Sequence, residues 1–173
     1  MEKIRTQLKI NGELKDVEIE NGEITIIEPN AKSTGWERCN LEELYYTNLC
    51  DAIESYTEHG DIFGKRRYTS ANYFSNKELA ENIFRMQTLQ RQMFRWQAEN
   101  DLVTDKCNVN TKKYYIYYDF DIKELIVNDY CHITECAFSP NFSSCEKARE
   151  CIEVFKDELI WLFTEFKWRM DSN

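Results

Sequence analysis

The sequence predicts an α+β fold, with an N-terminal three-stranded antiparallel meander followed by two β-β-(β)-α modules that each end in a long helix. Three observations carry this. Two Asn-Gly pairs punctuate short alternating apolar runs near the N-terminus. Two later stretches repeat apolar residues at helical spacing. Both of those stretches open with the same short motif. The boundaries implied are 1–30 for the meander, 36–101 for the first module and 112–173 for the second.

The meander comes first. Asn11-Gly12 and Asn21-Gly22 accept the positive φ that tight hairpin turns demand. Around them Ile4, Leu8 and Ile10, then Val17 and Ile19, then Ile24 and Ile26 alternate with polar residues, as half-buried strands do. Glu18, Glu20 and Glu23 fall on the polar side. Pro29 ends the third strand, and residues 31–35 read as a linker.

Residues 75–100 place Leu79, Ile83, Met86, Leu89, Met93 and Trp96 one helical turn apart, which predicts a long helix. Residues 143–169 do the same with Ala148, Ile152, Phe155, Leu159, Leu162 and Phe166. There Ile160, Trp161 and Phe163 widen the stripe beyond the single face a surface helix buries. That width calls for neighbours on more than one side, from this chain or from a second copy in a homodimer carrying Trp161 or Trp168 at its interface.

Both helices begin with F-S-x-x-E-x-A: Phe74-Ser75 to Ala80, and Phe142-Ser143 to Ala148. Serine followed three residues later by glutamate predicts a capping box, with Ser75 and Ser143 as N-caps. A tyrosine pair precedes each box, Tyr45-Tyr46 and Tyr114-Tyr115. The interval has room for two or three strands, in the second copy Tyr114 to Phe120, Leu125 to Val127 and Ile133 to Phe138. The pattern implies a duplicated module joined by a polar hinge, Val103 to Lys113.

Composition narrows the function. The chain has 173 residues, 42% hydrophobic and 14% aromatic, with 22 basic against 31 acidic side chains and a net charge of −9. A core is feasible and wholesale disorder is not expected. The charge opposes general nucleic-acid binding, which needs a basic footprint. Met1-Glu2-Lys3-Ile4 does not open an export signal, and no run reaches the ~20 apolar residues of a membrane span. The seven cysteines (39, 50, 107, 131, 136, 145, 151) then read as reduced, buried thiols of a cytosol.

Catalytic and metal signatures are missing. Cys131, His132, Cys136, Cys145 and Cys151 lack zinc-knuckle spacing. His59 and His132 are the only histidines, and no phosphate loop or nucleophile elbow occurs. The expectation is a non-enzymatic protein without metal or cofactor. The run Lys65-Arg66-Arg67-Tyr68 reads as a solvated strand end.

The strongest charge signal is acidic. Residues 40–64 hold Glu42, Glu43, Asp51, Glu54, Glu58 and Asp61 and no lysine or arginine. Carboxylates spaced along a surface can imitate a phosphate ladder and occupy a basic groove built for nucleic acid. These six are the candidate partner-binding residues.

Gly35-Trp36-Glu37-Arg38, Tyr45-Tyr46, residues 72–81 and Tyr114 to Asp119 together resemble a family of small accessory proteins of phages, prophages and mobile elements of Gram-positive gut bacteria. The resemblance covers most of residues 35–166. This chain departs from it at Leu49-Cys50-Asp51, where a glycine-containing turn is usual. The resemblance implies an anti-defence role, foremost an anti-CRISPR protein that binds a CRISPR effector nuclease, alone or with its guide RNA. The alternative is a non-catalytic adaptor that binds a phage or host protein through apolar helix faces.

Overall fold

A computed structural model describes residues 4–10, 13–20, 22–26, 33–101, 112–130 and 140–170. The fold is α+β, with small antiparallel sheets and three helices among the described residues.

Strands β1 (Ile4–Ile10), β2 (Glu13–Glu20) and β3 (Glu23–Ile26) pair antiparallel in the order β1-β2-β3. Ile10 faces Glu13, and Glu20 faces Glu23 across Gly22, whose φ of 84° suits a tight turn. Asn11, Gly12, Asn21 and Pro29 lie outside the described residues.

Hairpin β4 (Leu44–Leu49) with β5 (Ala52–Thr57) is followed by a short helix α1 (Ile62–Thr69) and the long helix α2 (Lys77–Asn100). Hairpin β6 (Lys113–Asp119) with β7 (Glu124–Tyr130) is followed by α3 (Cys145–Thr164). Most of the hinge and the expected strand Ile133 to Phe138 fall outside the described residues. The β4–β5 turn closes without glycine because Cys50 itself takes φ 52°.

The two hairpin-helix units share one register. Tyr46 bridges Phe74 and Tyr114 bridges Phe142, each through a reciprocal pair of backbone hydrogen bonds. The equivalent tyrosines are therefore the second of one pair and the first of the other. Both bridging phenylalanines are 1% exposed, and Ala80 and Ala148, six residues on, are fully buried.

The helix caps sit one residue later than the capping-box reading places them. Asn76 accepts from the Leu79 amide and Ser144 from the Lys147 amide. Ser75 and Ser143 are held instead by acids from elsewhere. Ser75 donates to Glu37 at 3.2 Å. The Ser143 amide and hydroxyl both donate to the Asp101 carboxylate. Each serine hydroxyl therefore donates to a charged acceptor, and the residue after it supplies the oxygen that caps the helix.

Helices α2 and α3 run antiparallel. Arg85 makes a bidentate pair with Glu158, and Asp101, at the C-terminal end of α2, meets Ser143 before α3. The buried residues form two clusters. Phe74, Leu79, Ala80 and Ile83 gather Trp36, Tyr46, Ile53 and Phe166 around them. Leu89, Met93, Ile116, Phe142, Ala148, Cys151, Ile152 and Leu159 make the other. Helix α2 thus gives its first half to one cluster and its second half to the other, so a boundary at 101 cuts across a core. The wide apolar stripe of α3 is covered within the chain: Leu162 and Phe163 meet the second core, Phe166 meets the first, and Trp161 lies under Arg85 at 4.0 Å. The helix bends at Phe155 (φ −116°, ψ 19°).

Residues 33–37 are a docked turn rather than a free linker. Gly35 takes φ 87°, and a Cβ there would stand 2.7 Å from Leu79 Cδ2. The Glu37 carboxylate accepts from the Thr34 amide and hydroxyl, the Ser33 hydroxyl and the Gly35 amide. The Trp36 indole donates to the Trp168 carbonyl at 2.8 Å. The motif Gly35-Trp36-Glu37-Arg38 is therefore a junction tying the start of the first unit to α2 and to the chain after α3.

Candidate functional site

The six acidic candidates separate into five exposed side chains and one buried one. Glu42, Glu43, Asp51, Glu54 and Asp61 are exposed along the β4–β5 hairpin and its approaches. Glu58 is not a surface residue: it is 2% exposed. Its burial corrects the reading of all six as one surface and makes Glu58 the hub of the first unit's interior.

Four donors converge on Glu58. Arg38 reaches it with Nε and Nη2 at 3.2 and 3.1 Å, the Tyr73 hydroxyl at 2.9 Å and the Gly60 amide at 2.6 Å. The Arg38 pair holds its carboxyl below the usual carboxylate range, against the opposing effect of burial. Gly64 of α1 packs on this carboxylate, and a Cβ there would stand 3.1 Å from Glu58 Oε1. Each carboxylate oxygen thus accepts two hydrogen bonds and the charge is paired, which is the condition for burying an acid.

Tyrosines wall this interior. Tyr45 stacks on Tyr73 with centroids 4.0 Å apart and planes 10° from parallel, and Tyr68 meets Tyr73 edge-on. Arg67 lies 3.8 Å over the Tyr56 ring and donates to the Tyr45 hydroxyl at 2.6 Å. The basic run 65–68 is therefore part of helix α1, not a strand end: Arg67 is turned inward, while Lys65 and Arg66 are exposed.

The five surface acids are held in different ways. Glu43 caps the bend at Asn40, accepting from its side-chain amide at 3.1 Å and its backbone amide at 2.8 Å, which together keep the carboxyl below the ordinary range. Asp61 caps α1 through the Gly64 amide at 2.7 Å. Glu54 accepts from the Tyr56 hydroxyl at 2.6 Å. Glu42, at φ 67°, lies 3.4 Å from exposed His59. Leu41, Leu44, Ile62 and Phe63 stand among these acids, each more than half exposed.

Nothing in this region is arranged for nucleophilic chemistry. Cys39 donates its thiol to the Leu44 carbonyl, and burial raises its pKa, the opposite of an activated thiolate. Of the four described cysteines only Cys151 is buried, its thiol pushed up to about 12 by desolvation, while Cys50 is exposed. Among the described residues no group of histidine, cysteine or carboxylate side chains is placed to hold a metal. Cys107, Cys131, His132 and Cys136 lie outside them. No described helix is long and apolar enough to cross a membrane.

No known family model matches this chain, and neither a curated protein nor a solved structure is significantly similar to it.

Proposed function

We propose that the protein is an anti-defence factor of a phage or mobile element, an anti-CRISPR inhibitor that binds a CRISPR effector nuclease stoichiometrically through its acidic surface and blocks DNA recognition or cleavage. The observation that supports this reading is the exposure of Glu42, Glu43, Asp51, Glu54 and Asp61 on one hairpin and its flanks, in a stretch without a single lysine or arginine. The buried Glu58 network holds that hairpin against α1 and the segment that leads into α2, so the acids are presented on a fixed frame. Fixed charge lowers the cost of ordering side chains on binding and steers a basic groove toward the surface. The exposed Leu41, Leu44, Ile62 and Phe63 supply the apolar contact that charge alone lacks.

The test begins with a panel of guide-loaded effector nucleases incubated with the protein and run on gel filtration. Expected is a salt-sensitive one-to-one complex and loss of target cleavage. The triple variant Glu42→Lys, Asp51→Lys, Glu54→Lys keeps the caps at Asn40 and Gly64 and leaves Glu58 in place. It should stay folded and lose inhibition by roughly tenfold or more, since rim charges act chiefly on association. Full inhibition by this variant refutes the acidic-surface mechanism.

A further inference from the structure

The hairpin β4–β5 carries a second binding feature, in its backbone. Ladder hydrogen bonds alternate along an antiparallel pair. The Glu58 amide donates to the Glu43 carbonyl, so Tyr45 with Tyr56, Thr47 with Glu54 and Leu49 with Ala52 are the hydrogen-bonded pairs that follow. The intervening residues aim their backbone groups outward. On β4 these are Tyr46 and Asn48, and both are satisfied. Phe74 exchanges two backbone bonds with Tyr46. The Asn72 side-chain amide accepts from the Asn48 amide at 2.8 Å and donates to its carbonyl at 2.9 Å, imitating a strand residue.

On β5 the outward residues are Ile53, Ser55 and Thr57. Among the described residues nothing pairs with their backbone N–H or C=O groups. The corresponding edge of β7 is partly blunted, because the Asp129 amide is taken by the Asn128 side chain and its carboxylate by Lys112 at 3.0 Å. The β5 edge has no proline, lysine or arginine, the usual guards of an exposed strand. Of the charged side chains beside it, Asp51 at the turn and Glu54 at the middle are exposed, whereas Arg67 is turned inward over the Tyr56 ring.

We infer that β5 is a strand-addition site for an extended, basic segment of a partner protein, which completes the sheet on Ile53, Ser55 and Thr57 while its lysines or arginines meet Asp51 and Glu54. The edge is six residues long, about 20 Å, enough for one short strand. Backbone bonds supply affinity and the acids select sign, as in other edge-binding modules. A second copy of this chain fits less well, since each copy carries −9 and would bring its own Glu54 to the same edge. The inference rests on the acidic-surface reading for the sign of its ligand, but the strand addition itself does not depend on what the partner is.

An octapeptide of alternating valine and lysine is a sufficient probe, together with the same peptide N-methylated on alternate residues so that one edge cannot hydrogen-bond. Expected at about 1 mM peptide is hydrogen exchange slowed roughly tenfold or more at the Ile53, Ser55 and Thr57 amides, and no slowing with the methylated peptide. Ser55→Pro removes one outward N–H without touching the ladder to β4, a place where an edge strand tolerates proline. It should abolish the effect with its circular dichroism unchanged. An alternating valine-glutamate peptide should not bind. Equal binding of the methylated and unmethylated peptides, or no slowing at 1 mM, overturns strand addition and leaves the acidic-surface inhibitor reading intact. Slowing that depends on protein concentration without peptide identifies a second copy as occupant and overturns the basic-peptide assignment. Equal binding of the valine-glutamate peptide removes the role given to Asp51 and Glu54.

Discussion

The two hairpin-helix units share a frame and differ in what fills it. In each, a strand tyrosine bridges a fully buried phenylalanine and a helix begins three residues later, with a buried alanine in its first turn. The second unit fills that frame with Ile116, Cys151, Ile152 and Leu159 against Leu89 and Met93 of α2. The first unit has a smaller apolar cluster of Phe74, Leu79, Ala80 and Ile83 and sets beside it a buried carboxylate, two guanidinium groups and a wall of tyrosines. An apolar core is non-directional and tolerates repacking, whereas a satisfied polar network fixes one arrangement. The unit that presents the acidic surface and the open strand edge is the one whose interior is directional.

This contrast is broken most directly at the buried acids. Glu58→Ala leaves the buried Tyr73 hydroxyl and the Gly60 amide without their acceptor, while Arg38 can turn to water, and should cost about 3 kcal/mol. Asp101→Ala in the second unit removes only the acceptor of Ser143 and should cost about 2 kcal/mol. Urea denaturation of both variants checks the ranking, and equal losses would mean that Glu58 is no more central than a helix-flanking acid.

The next largest effect belongs to the junction. Gly35→Ala meets Leu79 at 2.7 Å and forces a side chain to φ 87°, so it should destabilise by about 2 kcal/mol. Thermal unfolding followed by circular dichroism measures this. The loss should appear first in exchange of the α2 N-terminal amides rather than in α3.

Acid should separate the units without mutation. Burial acts to raise the Glu37 pKa, but the Thr34, Ser33 and backbone donors overcome it and bring it from 4.5 down to about 2, and Glu58 is lowered too. A carboxylate with a lower pKa folded than unfolded stabilises fully above the unfolded value, and the gain is lost as pH falls through the folded one. Stability should therefore decline between pH 4.5 and 2. Residues 33–75 should open before 112–130, as read by amide exchange at stepped pH. Glu37→Gln should flatten part of that decline.

The smallest effect is a gain. Cys50→Gly relieves a non-glycine residue at φ 52° in the β4–β5 turn and should add up to about 1 kcal/mol. The melting temperature should rise, and Lys123→Gly, at φ 59° in the four-residue turn of β6–β7, should give a gain of similar size.

The periodic features of this chain were readable from sequence because they depend on near neighbours. The stripes on α2 and α3 and the β6–β7 hairpin follow from spacing, whereas the interval before Phe74 shows room for strands without showing their bounds. The misplaced features, the start of α1 apart, depend on distant partners. Ser75 and Ser143 look like caps until Glu37 and Asp101 claim them. Residues 65–68 look like a solvated strand end, although Asp61, capping Gly64, is the local signal that starts α1. Glu58 looks like one more surface acid because its burial depends on Arg38, twenty residues before it, and Tyr73, fifteen after it. A charge run reports composition, and only the fold decides which of its members face water.

The division of α2 between two cores also governs how the chain is made. Its second half, with Leu89, Met93 and half-buried Trp96, leaves the ribosome before any of the strands and helix that cover it. Arg85 waits for Glu158, 73 residues later. At roughly 5–20 residues per second that interval is about 4–15 s, long against helix formation in microseconds. For those seconds the nascent chain displays a preformed amphipathic helix with its sticky side bare. Helix α3 then closes the structure from the far end of the chain, so a protein truncated before it is a client for chaperones and proteases rather than a smaller working version.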